Sequence, residues 1–213
     1  MNAEMLRAEN AACEATVTVA LPADDVLHVA YRVVNRGSEP LYLCNQLLQG
    51  QAPDTATDQE AVRVSSQTAH AQVDAAGVQV LQAIVNVSFR EDIRALDIPY
   101  LTLLPPGQHY EQTIVLPLPL VPAKVHGARP AQAPAILLPL WVTLGYFVSF
   151  PAFATHAQAV GTSLGMAYQV EAFLSNTQQL LTIGPFQAPI PVANTTTGPN
   201  LRPTSPEDWT PWG

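Results

Sequence analysis

The residues able to do chemistry are few and scattered. Gly161-Thr162-Ser163-Leu164-Gly165 spells the G-x-S-x-G pattern, in which a sharp strand-to-helix turn lifts a nucleophilic serine clear of a sheet. That device needs a parallel strand before the serine, a helix after it, and an acid followed by a histidine further along. The last histidine, His156, precedes the serine, so the order is not completed and the run reads as a loop of small residues. The five histidines, His28, His70, His109, His126 and His156, never fall at i, i+2 or i, i+4, the spacings of local zinc motifs. His28 and His109, both on expected strands, are the pair to check for a meeting in space; otherwise these are ordinary polar or surface imidazoles. Asp54, Asp58 and Glu60 share one polar loop but lack the alternating oxygens and central glycine of a calcium loop, which leaves a solvated loop.

Glu91 and Asp92, between Arg90 and Arg94, read as surface ion pairs of small energetic weight. Cys13 lies ahead of the two strands expected over Asp25–Cys44 and Cys44 ends the second of them, positions that do not suit an inter-sheet staple. Both read as small free thiols in a reducing compartment. There is no P-loop, no G-x-G-x-x-G and no C-x-x-C. No catalytic, cofactor-binding or metal-binding residue is therefore expected, and no cofactor. Asn86-Val87-Ser88 and Asn194-Thr195-Thr196 have the form of glycosylation acceptors and, with no leader evident, read as chance matches.

One stretch points outward. Ser205–Gly213, SPEDWTPWG, places Trp209, Pro211 and Trp212 in a segment with too little apolar neighbourhood to bury them locally. Tryptophan hides a large area with few rotors and concentrates at binding hot spots. Two readings stay open: the segment docks on another protein, or it folds back over an apolar face of its own domain.

The elements that must carry these residues are strands. In Asp25–Cys44, Leu27, Val29, Tyr31 and Val33 alternate with His28, Ala30 and Arg32, the two-residue period of a half-buried strand. Asn35–Pro40 breaks the run with turn residues and Leu41-Tyr42-Leu43 restarts it. Glu14–Leu21 alternates likewise ahead of it. Asp74–Gly77 joins two strands as a hairpin whose last position needs glycine. Tyr100–Leu104, a Pro105-Pro106-Gly107 corner and His109–Leu116 follow, the last with Tyr110, Gln112, Ile114 and Leu116 on one side. Leu140–Phe150 is a strong buried strand, Met166–Leu174 a late one and Gln179–Phe186 the last. Helical turns are expected only over Ala3–Ala12, Arg90–Leu96 and within a small-residue loop, Ala152–Gly165. Leu116–Pro139 holds six prolines and reads as an extended excursion outside the sheets.

Composition agrees. The chain has 213 residues, 48% of them hydrophobic, enough for one sizeable core, while only 12% are charged. Twenty prolines argue against a helical protein. A formal charge of −8 with Lys124 as the only lysine excludes a phosphate-neutralising stripe, so nucleic acid is not an expected partner. Ala135–Phe150 is too short and too interrupted by Pro139 for a membrane span, and Met1–Cys13 has no apolar leader core, which places the chain in the cytoplasm. Sparse surface charge favours a protein partner or self-association.

Eight to ten short strands with turns between them indicate an all-β, antiparallel sandwich over residues 12–188, with a flexible lead-in over 1–11 and an extended tail over 189–213. The run VLHVAYRVVNRGSEPLYL and the later LLPPGQHYEQTIVL resemble the paired strands and Pro-Gly corner of bacterial immunoglobulin-like domains, through Tyr31, Val33, Asn35, Pro40, Leu41, Pro106 and Gly107. The intracellular proteinase-inhibitor (BsuPI-like) group is similar. The resemblance covers about a sixth of the chain. It implies an immunoglobulin-like sandwich, and an inhibitor that offers a loop to an enzyme, for which Leu116–Pro139 is the candidate. The residues themselves favour a non-enzymatic interaction or structural module, with a hydrolase or metal enzyme as a third, remote class.

Overall fold

The structure, a computed structural model, describes residues 3–49, 61–88, 94–122, 129–130 and 134–196. The chain opens with β1 (Ala3–Glu9), β2 (Cys13–Ala23), β3 (Val26–Asn35) and β4 (Leu41–Leu48). β5 (Val64–Ser65), β6 (His70–Asp74), β7 (Gly77–Gln82), β8 (Val85–Ser88) and β9 (Arg94–Asp97) follow. Then come β10 (Tyr100–Leu104), β11 (His109–Pro117), β12 (Arg129–Pro130) and β13 (Ile136–Val148). Helix α1 (Pro151–His156), the hairpin β14 (Gln158–Thr162) and β15 (Gly165–Gln169), a 3₁₀ turn (Ala172–Thr177), β16 (Gln179–Val192) and β17 (Thr195–Thr196) complete it.

Two sheets share one core. The smaller runs β1-β2-β3-β11, all antiparallel; the larger runs β14-β15-β10-β4-β13-β7-β6. β16 takes one edge of β13 from Ile136 to Tyr146. β7, parallel, and β4, antiparallel, share the other edge. Alternation decides what lies between the sheets. Ala15, Val17 and Val19 of β2, Leu27, Val29, Tyr31 and Val33 of β3, and Ile114 and Leu116 of β11 meet Leu41, Leu43, Val78, Val80, Leu140, Val142, Leu144 and Tyr146 from the larger sheet. Each valine, leucine and isoleucine among them contributes about 1.5–3 kcal/mol by leaving water.

The larger sheet is covered on its other face too. Tyr42, Cys44, Leu101 and Phe147 point away from the small sheet and pack under Phe153 of α1 and Leu174 of the 3₁₀ turn. The rings of Tyr42 and Phe147 lie 4.7 and 5.1 Å from that of Phe153. This second apolar layer explains why β4 is buried at seven successive positions, where a one-sided strand would alternate.

Several elements depart from the sequence expectations. The helical turn over Ala3–Ala12, in the segment read as a lead-in, is instead β1, in unbroken register with β2. Its partly buried Leu6 and Ala8 reach the core while Met5 and Arg7 face out, a period of two that the charged Glu4, Arg7 and Glu9 obscure. Arg94–Leu96 belongs to β9 and not to a helical turn; 89–93 lie outside the described residues. The loop over Ala152–Gly165 resolves into α1 and β14, and the strand from Met166 stops at Gln169. The excursion ends before Pro139, because β13 begins at Ile136 and runs through that proline. The ladder with β16 shifts register between Leu138 and Leu140, the kind of irregularity at which a residue lacking N–H is tolerated. β16 passes Ala188 and places Ile190 and Val192 in the core, so the first residues of the segment expected to form a tail are still sheet; 197–213 lie outside the described residues.

The expected hairpin and Pro-Gly corner are both present. The hairpin turns at Ala75-Ala76, and Gly77 closes it with φ +145°; a Cβ there would lie 2.3 Å from the Pro139 carbonyl oxygen. The turn after β3 and the Pro-Gly corner meet at Asn35, whose Nδ2 donates to the Glu39 and Leu104 carbonyls, both at 2.9 Å. No helix among the described residues is long and apolar enough to cross a membrane.

Candidate functional site

Ser163 sits at the tip of the β14–β15 hairpin, a two-residue turn with Leu164. Its hydroxyl accepts from the Val64 N–H at 3.0 Å and donates to the Val64 carbonyl at 3.2 Å. The Thr162 hydroxyl is 3.0 Å from Gln46 Oε1 and 2.8 Å from the Gly165 carbonyl. G-x-S-x-G is here a clasp holding β5 to the hairpin: antiparallel strands flank the serine, and the hydroxyl a nucleophile would need is spent on backbone.

The histidines stay apart. His28 stands opposite Val115 and His109 opposite Val34, six residues apart along the β3–β11 ladder, roughly 20 Å at strand rise. His156 Nδ1 lies 3.3 Å from Glu171 Oε1, with its ring edge-on to Phe173. His70 Nε2 lies 3.2 Å from Asp97 Oδ2 of the β8–β9 ribbon without the geometry of a hydrogen bond. No three His, Cys, Asp or Glu among the described residues are placed to hold a metal ion. His126, Asp54, Asp58, Glu60, Arg90, Glu91 and Asp92 lie outside the described residues, as do Trp209, Pro211 and Trp212.

Both cysteines are free and buried, in different layers. Cys13 belongs to the core between the sheets, where burial raises its pKa. Cys44 lies under α1 and the 3₁₀ turn; burial pushes its pKa up to about 12, against which the Gln178 amide, 3.4 Å from the sulfur, works only weakly. A thiol so held is a poor nucleophile.

A buried polar chain was not legible in the sequence. The Tyr31 hydroxyl donates to Gln82 Oε1 at 2.6 Å, and Gln82 Nε2 donates to the Ser66 and Thr68 carbonyls at 2.9 and 2.8 Å. Nearby, Thr102 donates to Asn45 Oδ1 at 2.7 Å and accepts from Gln46 Nε2 at 3.0 Å. Desolvation holds the Tyr31 phenol well above its ordinary value. The cavity beside it, lined by Tyr31, Asn45 and Gln82, has about 10 Å³, room for at most a water, so this network pins the two sheets together and holds no ligand.

What remains are surfaces. One depression of about 340 Å³ lies among the loops at one end, between Asn10, Gly37, Glu39 and Gln179. Beside it the Tyr146 hydroxyl accepts from Asn10 Nδ2 at 2.7 Å and donates to Gln179 Oε1 at 2.8 Å. The other, about 560 Å³ and wide open, lies on the outer face of the small sheet over Thr16, Thr18, Ala30, Arg32, Glu111 and Thr113. Its charges are paired in place: Arg32 with Glu111 at 2.9 Å, Arg7 with Glu14 at 2.9 Å, and Arg36 with the same Glu14. The polar half of the β3 alternation, His28, Ala30 and Arg32, was the available sequence signal for this face; its β1 portion was hidden by the helical reading.

The chain is thus an all-β protein in which a four-stranded sheet and a larger mixed sheet share one core. No family model, curated protein or solved structure matches it.

Proposed function

We propose that this chain is a non-enzymatic interaction module, an immunoglobulin-like sandwich that acts through its sheet surface and through a C-terminal arm carrying Trp209, Pro211 and Trp212. The observation that carries this reading is the unequal covering of the two sheets. The larger sheet is roofed by α1 and the 3₁₀ turn, whereas among the described residues no helix or strand packs over the outer face of the small sheet, where Arg7, Arg32, Glu111 and Thr113 are exposed. A broad, open depression floored by small and ion-paired side chains suits a macromolecular surface better than a small molecule, which needs closer enclosure. The bonding of Ser163 to β5 supports the non-enzymatic part.

The test is co-purification from the native source with the full chain and with a version stopped at Ala193. A partner retained by the full chain and lost on truncation places docking on the arm or on the segment that β17 anchors; a partner retained by both places it on the sandwich. Capture by neither overturns the reading. A second reading, a proteinase-inhibitor-like domain presenting Leu116–Pro139, draws support from the anchoring of that segment. Leu120 donates to the Pro191 carbonyl at 2.9 Å and accepts from Ala193 at 2.8 Å, and Arg129–Pro130 pairs with β17. Anchors on both sides of 123–128 lower the entropy cost of presenting a loop. Absence of inhibition across a panel of intracellular proteinases removes it.

A further inference from the structure

The ladder registers fix the layout of the uncovered face. Arg7, Thr16, Arg32 and Glu111 form one row across β1-β2-β3-β11. Met5, Thr18, Ala30 and Thr113 form the next. Each edge of this sheet is touched by another segment at one point. The Val115 N–H on the free side of β11 donates to the Gln67 carbonyl at 3.0 Å, and at β1 the Glu4 carboxylate accepts from the Gln187 N–H of β16 at 2.7 Å. Strand addition at these two edges of the small sheet is therefore hindered.

We propose that this face is a homodimer interface, with two copies stacking their small sheets about a two-fold axis that runs parallel to the strands between β2 and β3. The inference rests on the interaction-module reading and names its partner as a second copy of the chain. Such an axis keeps each row level and reverses its order. Arg7 then stands opposite Glu111 of the second copy at both edges, and Thr18 opposite Ala30 of the second copy in the middle, where small side chains let sheets approach to about 10 Å. Arg32 keeps its own Glu111 and meets a threonine. An axis along the rows would set Arg7 against Arg7 or against Met5, so charge complementarity selects the first arrangement.

Charge balance points the same way. The chain carries a formal −8, which opposes self-association in general, yet on this face Arg7, Arg32 and Arg36 match Glu9, Glu14 and Glu111. The area suffices for a modest dimer: four strands about 4.8 Å apart and roughly 33 Å long give about 600 Å² per copy, near the lower bound for a specific interface. Long arginine and glutamate side chains absorb the edge offset of a crossing angle near 30°.

The test is sedimentation equilibrium of the full chain from about 10 to 200 µM, beside Ala30→Arg and Thr113→Arg. The expected result is a dimer whose Kd rises at least tenfold, about 1.4 kcal/mol, in either variant, with unchanged circular dichroism and with a Tm equal to the wild type's at concentrations where both are monomeric, because both positions face solvent in the monomer. Two substitutions on neighbouring strands keep the test decisive if one fails to fold. The dimer is also expected to weaken between about 0.05 and 0.5 M salt. A wild-type chain that stays monomeric overturns the inference, and so does a dimer indifferent to both substitutions. If that indifferent dimer dissolves on stopping at Ala193, the arm joins the copies and the interaction-module reading survives without this face. If Ala30→Arg breaks the dimer and the co-purification captures nothing else, the face stands and the arm does not.

Discussion

Ser163 and Cys44 are the side chains most easily mistaken for chemistry, and each is disarmed by a particular neighbour. The serine is held by both backbone groups of Val64, the cysteine by a layer of aromatic rings. Cys44 gives a pH prediction. Its folded pKa, about 12, lies above the ordinary 9.0, so the unfolded chain loses this proton first as pH rises. The native state is then the one holding more protons, and stability falls from about pH 9 toward about pH 12, being unaffected by this group below that window. Tyr146, also pushed up to about 12 by burial, adds to the same alkaline loss. Urea midpoints measured from about pH 8 to 11 are expected to decline, and the decline to be shallower in Cys44→Ala. An alkylating reagent at about pH 8 is expected to leave both thiols of the folded protein unmodified and to label them in urea.

Among the elements, β13 carries the most. Its inner residues Leu140, Val142, Leu144 and Tyr146 build the main core, and Phe147 anchors the outer layer. Between them Gly145 leaves room for a crossing: a Cβ there would lie 2.2 Å from Gln178 Nε2 and 2.8 Å from the Ala83 Cβ. Gly145→Ala is expected to push Gln178 away from Cys44 and to lower stability by roughly 1–3 kcal/mol, the usual cost of overpacking, read as a lower urea midpoint at unchanged m-value. β1 teaches the converse. Its alternation is weak and its sequence charged, and it becomes a strand because β2 offers a free edge with seven matching positions. Pro139 likewise looked like a strand terminator, yet β16 supplies a ladder that accommodates it by shifting register.

For the molecule as a whole, the decisive boundary is the end of β16. Ile190 and Val192 are 0% and 1% exposed, so stopping the chain at Ala188 strips two core side chains and is expected to cost about 3–6 kcal/mol. Stopping at Ala193 keeps both and is expected to leave the thermal midpoint within a few degrees; differential scanning calorimetry of the two versions checks the contrast. The sequence alone determined the strands whose two faces differ. β2, β3 and β11 each have one wet side, so alternation, turn residues and the Gly77 hairpin specify them locally. The ion-paired outer face of the small sheet was half legible for the same reason. What tertiary structure decided were the elements whose environment is set by distant partners. These include the continuous burial of β4 between two layers, the recruitment of β1, the passage of β13 through Pro139, the extension of β16, and the clasp that turns G-x-S-x-G into a hairpin tip. A local pattern records how one segment divides between water and core; it does not record which remote strand will supply hydrogen bonds, and here that supply made sheet of Ala3–Glu9, of the last residues of the expected excursion and of the first residues of the expected tail.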